Sequence, residues 1–150
     1  EEYDAIILAA AGVYRLGLQE YVRQELPLEV MLPAPGQGAL AIQSRTNDKS
    51  LNSILNLIED SNTRNAVLAE RSFLKNLGGG CSAPVAAYAS VNADTLFLEG
   101  LVASIDGKEL LRINGTCKNN ADQSIQLGNV LASALIRRGA KKILNPVGES

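Results

Sequence analysis

A thiol on a nearly bare loop is the most reactive-looking feature of this chain. Cys81 follows Gly78-Gly79-Gly80 and precedes Ser82-Ala83-Pro84, so little side-chain bulk guards the approach to its sulfur. As a thiolate, cysteine is a strong nucleophile for making a C–S bond. The competing reading is a small apolar filler, because free cysteine is mostly buried and inert. Cys117 has no glycine loop and reads as filler outright. Two cysteines are too few for a disulfide framework. The sequence has no histidine, which removes Ser-His-Asp and Cys-His catalysis and most zinc sites. Chemistry is left to carboxylates, Arg, Lys, Cys and backbone groups, and no carboxylate pair stands out by its spacing.

Two further segments carry candidate contacts. In Ala9-Ala10-Ala11-Gly12-Val13-Tyr14-Arg15-Leu16-Gly17, the guanidinium of Arg15 offers planar paired donors that suit a carboxylate. Its alternative is an exposed arginine solvated by water, the commoner fate of the residue type. In Leu32-Pro33-Ala34-Pro35-Gly36-Gln37-Gly38-Ala39-Leu40, prolines and glycines make a constrained crossing that excludes a helix or strand interior. Gly36-Gln37-Gly38 lacks the Lys-Ser/Thr of a phosphate loop and the third glycine of a dinucleotide fingerprint.

Taken together, these segments resemble the hydroxymethylbilane synthase (porphobilinogen deaminase) family. Ala69-Glu70-Arg71-Ser72-Phe73-Leu74 with Leu77 to Pro84 is similar to its cofactor-attachment segment, Ala9 to Gly17 to its AAAG…RLG segment, and LPAPGQGALAIQSR to its hinge. The family commonly has glutamate where this chain has Gly78, a departure that loosens the loop and leaves the thiol untouched. The resemblance runs from Tyr3 to about Leu144. It implies that Cys81 carries a dipyrromethane cofactor through a thioether. It also implies that Arg15 contacts a carboxylate side chain of the pyrrole chain, and that Gln37 and Gly38 lie beside the bound pyrroles, with Ala9 in the same cofactor-binding set. The implied reaction joins four porphobilinogen units with loss of ammonia into hydroxymethylbilane, in tetrapyrrole and heme biosynthesis. The family's catalytic aspartate and most substrate-holding arginines belong upstream of Glu1. No catalytic residue is therefore expected in this stretch, which alone is expected to be inactive. The implied partners are porphobilinogen and the upstream half of the same enzyme, a monomer when complete, in the cytoplasm or in a plastid for a plant or alga.

Among the elements that would hold these residues, Ile6 to Ala11 is continuously apolar, as in a strand covered on both faces of a parallel sheet. Gly12 would break it, and a helix would run from Val13 toward Leu26 before Pro27. A chain opening on a buried strand suggests the C-terminal part of a longer one. Ala39 to Arg45 alternates as a strand would, with Leu40 and Ile42 on one face. Asp48 suits the N-cap of a helix from Lys49 to Glu59 with an apolar stripe of Leu51, Ile54, Leu55 and Ile58. Asp60-Ser61-Asn62 is polar and marks a boundary. A helix from Thr63 to Leu77, striped by Ala66, Ala69, Phe73 and Leu77, is stopped by the glycines. Strands follow over Val85 to Val91, Thr95 to Ser104 (Leu96, Leu98 and Leu101 inward) and Lys108 to Thr116, with Asp106-Gly107 as a hairpin signal. Ala121 to Arg138 reads as a helix with Ile125, Val130, Leu131, Ala134 and Leu135, closed by Gly139; Ile143 and Leu144 would add a short strand or dock.

The expected fold is thus α/β and α+β. On the family's map, residues 1–32 end a second domain of periplasmic-binding-protein-like α/β type. Residues 33–60 are hinge and return to a first domain. Residues 61–150 form a cofactor-attachment domain with a three-stranded antiparallel sheet covered by helices. The 150 residues are 46% apolar and 20% charged, a composition able to bury a core. A net charge of −2 argues against nucleic-acid binding, no apolar run approaches membrane-span length, and no signal-peptide pattern opens the chain. Two rivals remain: a non-catalytic ligand-binding module of periplasmic-binding type using Arg15 and the hinge, and a thiol enzyme or redox sensor built on Cys81. The absent histidine counts against the latter.

Overall fold

The computed structural model describes residues 3–78 and 83–144. The chain divides after Met31 into two compact units, and each is taken by itself.

In the first unit, α1 (Ala10–Arg15) is a short helix and Gln19–Tyr21 a single 3-10 turn. Residues 5–9 form neither helix nor strand, and Ile6, Ile7 and Leu8 are 72%, 67% and 64% exposed. The expected buried strand is therefore not formed: no neighbouring strand among the described residues supplies a ladder for its amides. Gly12 lies inside α1 instead of breaking the chain ahead of it, and the helix does not continue to Leu26.

The second unit holds the core. Residues 39–45 form no strand either, and Leu40 and Ile42 point into solvent. Next, α2 (Lys49–Ile58) starts where expected, the Asp48 carboxylate accepting from the Leu51 amide at 3.1 Å. Of its apolar stripe, Ile54 and Ile58 are largely exposed, as is Leu57 beside it. Helix α3 (Ser61–Leu77) begins two residues earlier than periodicity suggests. Asp60 is its N-cap, bonded to the Thr63 amide at 2.6 Å, and Gly78 ends it in the left-handed conformation at φ 77°.

Strands β1 (Val85–Asn92), β2 (Thr95–Ala103) and β3 (Leu110–Lys118) form an antiparallel meander, a sheet in the order β1-β2-β3 with β1 and β3 at its edges. Its inner face carries Val85, Ala87, Ala89, Leu96, Leu98, Gly100 and Val102, with Ile113 and Cys117 from β3. Leu101, expected inward, lies on the outer face, because period two places Gly100 and Val102 inside. Opposite Leu101 stands Arg112, whose Nε donates to Glu99 at 2.6 Å.

Helices α3 and α4 (Ala121–Arg137) cover the inner face, with α5 (Ala140–Leu144) closing the core at Ala140, Ile143 and Leu144. Along α4 the buried residues are Ser124, Gly128, Leu131, Ala132 and Leu135, so Ile125 and Val130 belong to its outer side and not to the stripe. Two glycines set the packing. A Cβ on Gly100 would come within 2.6 Å of Phe73 Cε1, and one on Gly128 within 2.8 Å of the Phe73 backbone nitrogen. The start of α3 is laced to the β3–α4 turn by Asn65 donating to Asn119 at 2.8 Å and Asn119 donating to Asn62 at 2.7 Å. The observed architecture is a mixed α/β unit built on a three-stranded antiparallel sheet with helices.

Candidate functional site

The crossing from residue 33 to 38 is shaped by its prolines and glycines. Pro35 and Gly36 are the central residues of a turn closed by the Gln37 amide donating to the Ala34 carbonyl at 3.2 Å. Gly36 has φ 81°, which is why glycine and not a β-carbon residue follows the proline in a turn of this kind. Gly38, at φ 82°, needs glycine for the same reason. The result presents Gln37 and Gly38 exposed, on backbone that few other sequences would adopt.

That turn is fastened to the sheet edge. The Pro33 carbonyl accepts from the Ala87 amide at 3.0 Å. Two residues along β1, the Ala89 amide donates to Glu70 Oε1 at 2.7 Å, and the other oxygen, Oε2, accepts from the Gly36 amide at 2.7 Å. Glu70, on α3, is only 5% exposed, and among the described residues it forms no ion pair. Its charge is met by two backbone N–H groups, short bonds of the kind carboxylates make. Burial pushes its carboxyl above the usual value, while the Gly36 and Ala89 amides pull it back. In the sequence the acidic residues are scattered, and none of them, Glu70 included, stands out as a site residue. The available signal was its position in the apolar stripe of its own helix, four residues after Ala66 and three before Phe73.

The other sequence-derived residues are placed as follows. Ala9 is the N-cap of α1, its carbonyl accepting from the Gly12 and Val13 amides at 3.0 and 3.3 Å. Arg15 closes the same helix, where a cation suits the negative end, and its side chain is exposed with no ion pair among the described residues. Ala9 and Arg15 belong to the first unit, Gln37 and Gly38 to the second. Cys81 lies outside the described residues, between the end of α3 and the start of β1. Cys117 is half-buried against the core, and burial pushes its thiol above the ordinary value, in keeping with filler. Two open surface depressions, at the β2–β3 hairpin (Ser104, Asp106, Lys142) and on the outer side of α4 (Gln126, Val130, Arg137), hold none of these residues. No group of three or more Cys, Asp or Glu able to hold a metal occurs among the described residues, and no helix is long and apolar enough to cross a membrane.

Comparison with known proteins supplies the decisive finding. Residues 1–53 match the family model for porphobilinogen deaminase, dipyromethane cofactor binding domain, and residues 65–137 the model for its C-terminal domain. The chain belongs to the porphobilinogen deaminase family. Its relatives include porphobilinogen deaminases of Nostoc sp. (46% identical, covering 97% of this chain and 45% of the relative) and Exiguobacterium sp. (45% identical, 99% and 48%). That of Natranaerobius thermophilus is 41% identical, with 99% and 48% covered. The chain spans about half the length of these curated relatives. Within the family match, Ala9, Arg15, Gln37 and Gly38 fall in the cofactor-binding model and Cys81 in the C-terminal one.

Proposed function

We propose that this chain is the C-terminal part of a hydroxymethylbilane synthase, the transferase that assembles four porphobilinogen units, with loss of ammonia, into the linear tetrapyrrole hydroxymethylbilane. The observation that carries the reading is the pair of family matches, in order and nearly end to end, with Cys81 inside the second. The same match sets this reading above a ligand-binding module or a thiol sensor.

The residues present fit a dipyrromethane in their chemistry. The group carries carboxylates, and Arg15 brings an exposed guanidinium without a competing acid among the described residues. Gln37 and Gly38 bring an exposed amide side chain and a backbone without bulk, suited to flat rings passing close by. Ala9 adds backbone at the start of the Arg15 helix. Cys81 anchors the cofactor by a thioether, a bond that resists hydrolysis where an ester would not. When bound, the dipyrromethane supplies the primer on which the pyrrole chain grows.

On this reading residues 1–32 end a second, periplasmic-binding-protein-like domain, residues 33–60 are the hinge and return to a first domain, and residues 61–150 form the attachment domain. The partner is the upstream half of the enzyme, bearing the catalytic aspartate that steadies cationic pyrrole species in a water-poor cleft. The complete protein is a monomer of the cytoplasm, or of a plastid in a plant or alga. The chain alone is inactive.

Intact mass with a peptide map across Cys81 tests the proposal. In protein made together with the upstream half, a dipyrromethane adduct on Cys81, lost in Cys81→Ser, is the expected result. A bare Cys81 in a complete, folded protein overturns it.

A further inference from the structure

A buried carboxylate is costly unless its oxygens are satisfied, and a helix facing a sheet would pack more simply with an apolar side chain at this position. Glu70 stands there instead, and its two oxygens go to two different parts of the molecule: Gly36 in the crossing and Ala89 on β1. The Pro33–Ala87 bond, one ladder step away, holds the other end of the crossing but does not reach the turn that presents Gln37. Among the described residues, the bond to that turn from elsewhere in the chain comes from Glu70, at the residue directly before Gln37. It also lies eight residues before Gly78, about 12 Å along the helix from the start of the Cys81 loop at 1.5 Å per residue.

We propose that Glu70 is a positioning residue: its carboxylate clasps the Gly36 and Ala89 amides together and so fixes the Gln37-Gly38 backbone relative to the helix that leads into the Cys81 loop. The clasp's role in substrate placement rests on the synthase reading above; the clasp itself does not. A carboxylate is required because both oxygens must accept. In Glu70→Gln one of the two becomes an NH₂ donor, and in Glu70→Asp the side chain is a methylene too short to span both amides.

Amide hydrogen exchange on the 150-residue chain tests the clasp. In Glu70→Gln the Gly36 or the Ala89 amide should exchange at least about tenfold faster while the amides of β2 keep their rates. Unchanged exchange at both, or acceleration of the whole sheet in step, overturns the proposal. Should Glu70→Gln fail to fold, the wild-type chain is informative by itself. The Gly36 and Ala89 amide resonances should move with the Glu70 carboxyl carbon in one pH titration, and their indifference to it overturns the clasp. For the substrate role, Glu70→Gln in the chain completed by its upstream half should raise the KM for porphobilinogen about tenfold with kcat changed less than about threefold. An equal loss of kcat, or loss of the Cys81 adduct, assigns Glu70 to folding and overturns positioning. If the completed wild-type protein carries no activity, the synthase reading falls, and the exchange data still decide the clasp.

Discussion

The burial of Glu70, its partners and its titration all follow from one position on α3. Burial raises its carboxyl above the ordinary value of 4.5, the Gly36 and Ala89 amides offsetting part of the rise. An acid with a higher pKa when folded holds its proton more tightly in that state. Its contribution to stability is therefore complete below 4.5 and is lost as pH rises through the folded value. Urea midpoints measured from acid to neutral pH should show that decline in the wild type and lack it in Glu70→Gln; identical pH profiles would contradict the assignment. Residue types announced the constrained crossing at residues 33–38 and the Asp48 cap. They did not announce Glu70, because an acid in a helix is ordinarily solvated, and only the fold shows that the edge of β1 and the crossing both bring an N–H to it.

At the scale of elements, the sheet and its helices were legible because their patterns are local: the Asp48 cap of α2, periodicity along α3 and α4, and Asp106-Gly107 within the connection from β2 to β3, where the Gly107 amide donates to the Ser104 carbonyl at 3.0 Å. The errors lie where the partner was not local. Ile6 to Ala11 and Ala39 to Arg45 have strand composition, but a strand needs a neighbour to bond, and among the described residues neither finds one. Leu101 was misplaced because glycine at 100 looks like a gap when it is the seat of the Phe73 ring. The helix pair α3–α4 offers a sharp test. A methyl at position 128 meets the α3 backbone at Phe73, which cannot swing aside, so Gly128→Ala should cost about 1–3 kcal/mol by denaturant unfolding. At position 115 the nearest atoms are the terminal methyls of Leu127 and Leu131, at 3.2 and 3.3 Å, which can yield. Gly115→Ala should therefore be close to neutral, with roughly 0.5–1 kcal/mol recovered by removing a strand glycine. Equal costs at the two sites would mean that helix spacing is not what Gly128 controls.

For the whole molecule, apolar surface is covered unevenly, in the second unit as well as between it and the first. Phe73, Leu96, Leu98 and Leu135 are fully enclosed, whereas Ile6, Leu40 and Leu57 are 72%, 101% and 85% exposed. Apolar runs of this kind are unusual on a finished surface. With the upstream half supplied in trans, residues 5–9, 39–43 and the apolar side of α2 should become protected in hydrogen exchange, and binding of a hydrophobic dye should fall. The β1–β3 sheet should change little. Exposure that persists in the completed protein would contradict the proposed completion by the upstream half.

The fastening of the crossing has one more effect, on what this chain does in company with copies of itself. A strand at the rim of a sheet is a template on which foreign chains add and cross-β polymers grow. Here the amides of Ala87 and Ala89 are already spent on Pro33 and Glu70, and Pro33, the residue of the crossing that lies on this rim, has no N–H to offer in return. Seeded growth would have to start from β3. Opening the clasp at Glu70 would bare the β1 rim and create a second nucleation front, visible as a shortened lag in fibril assays.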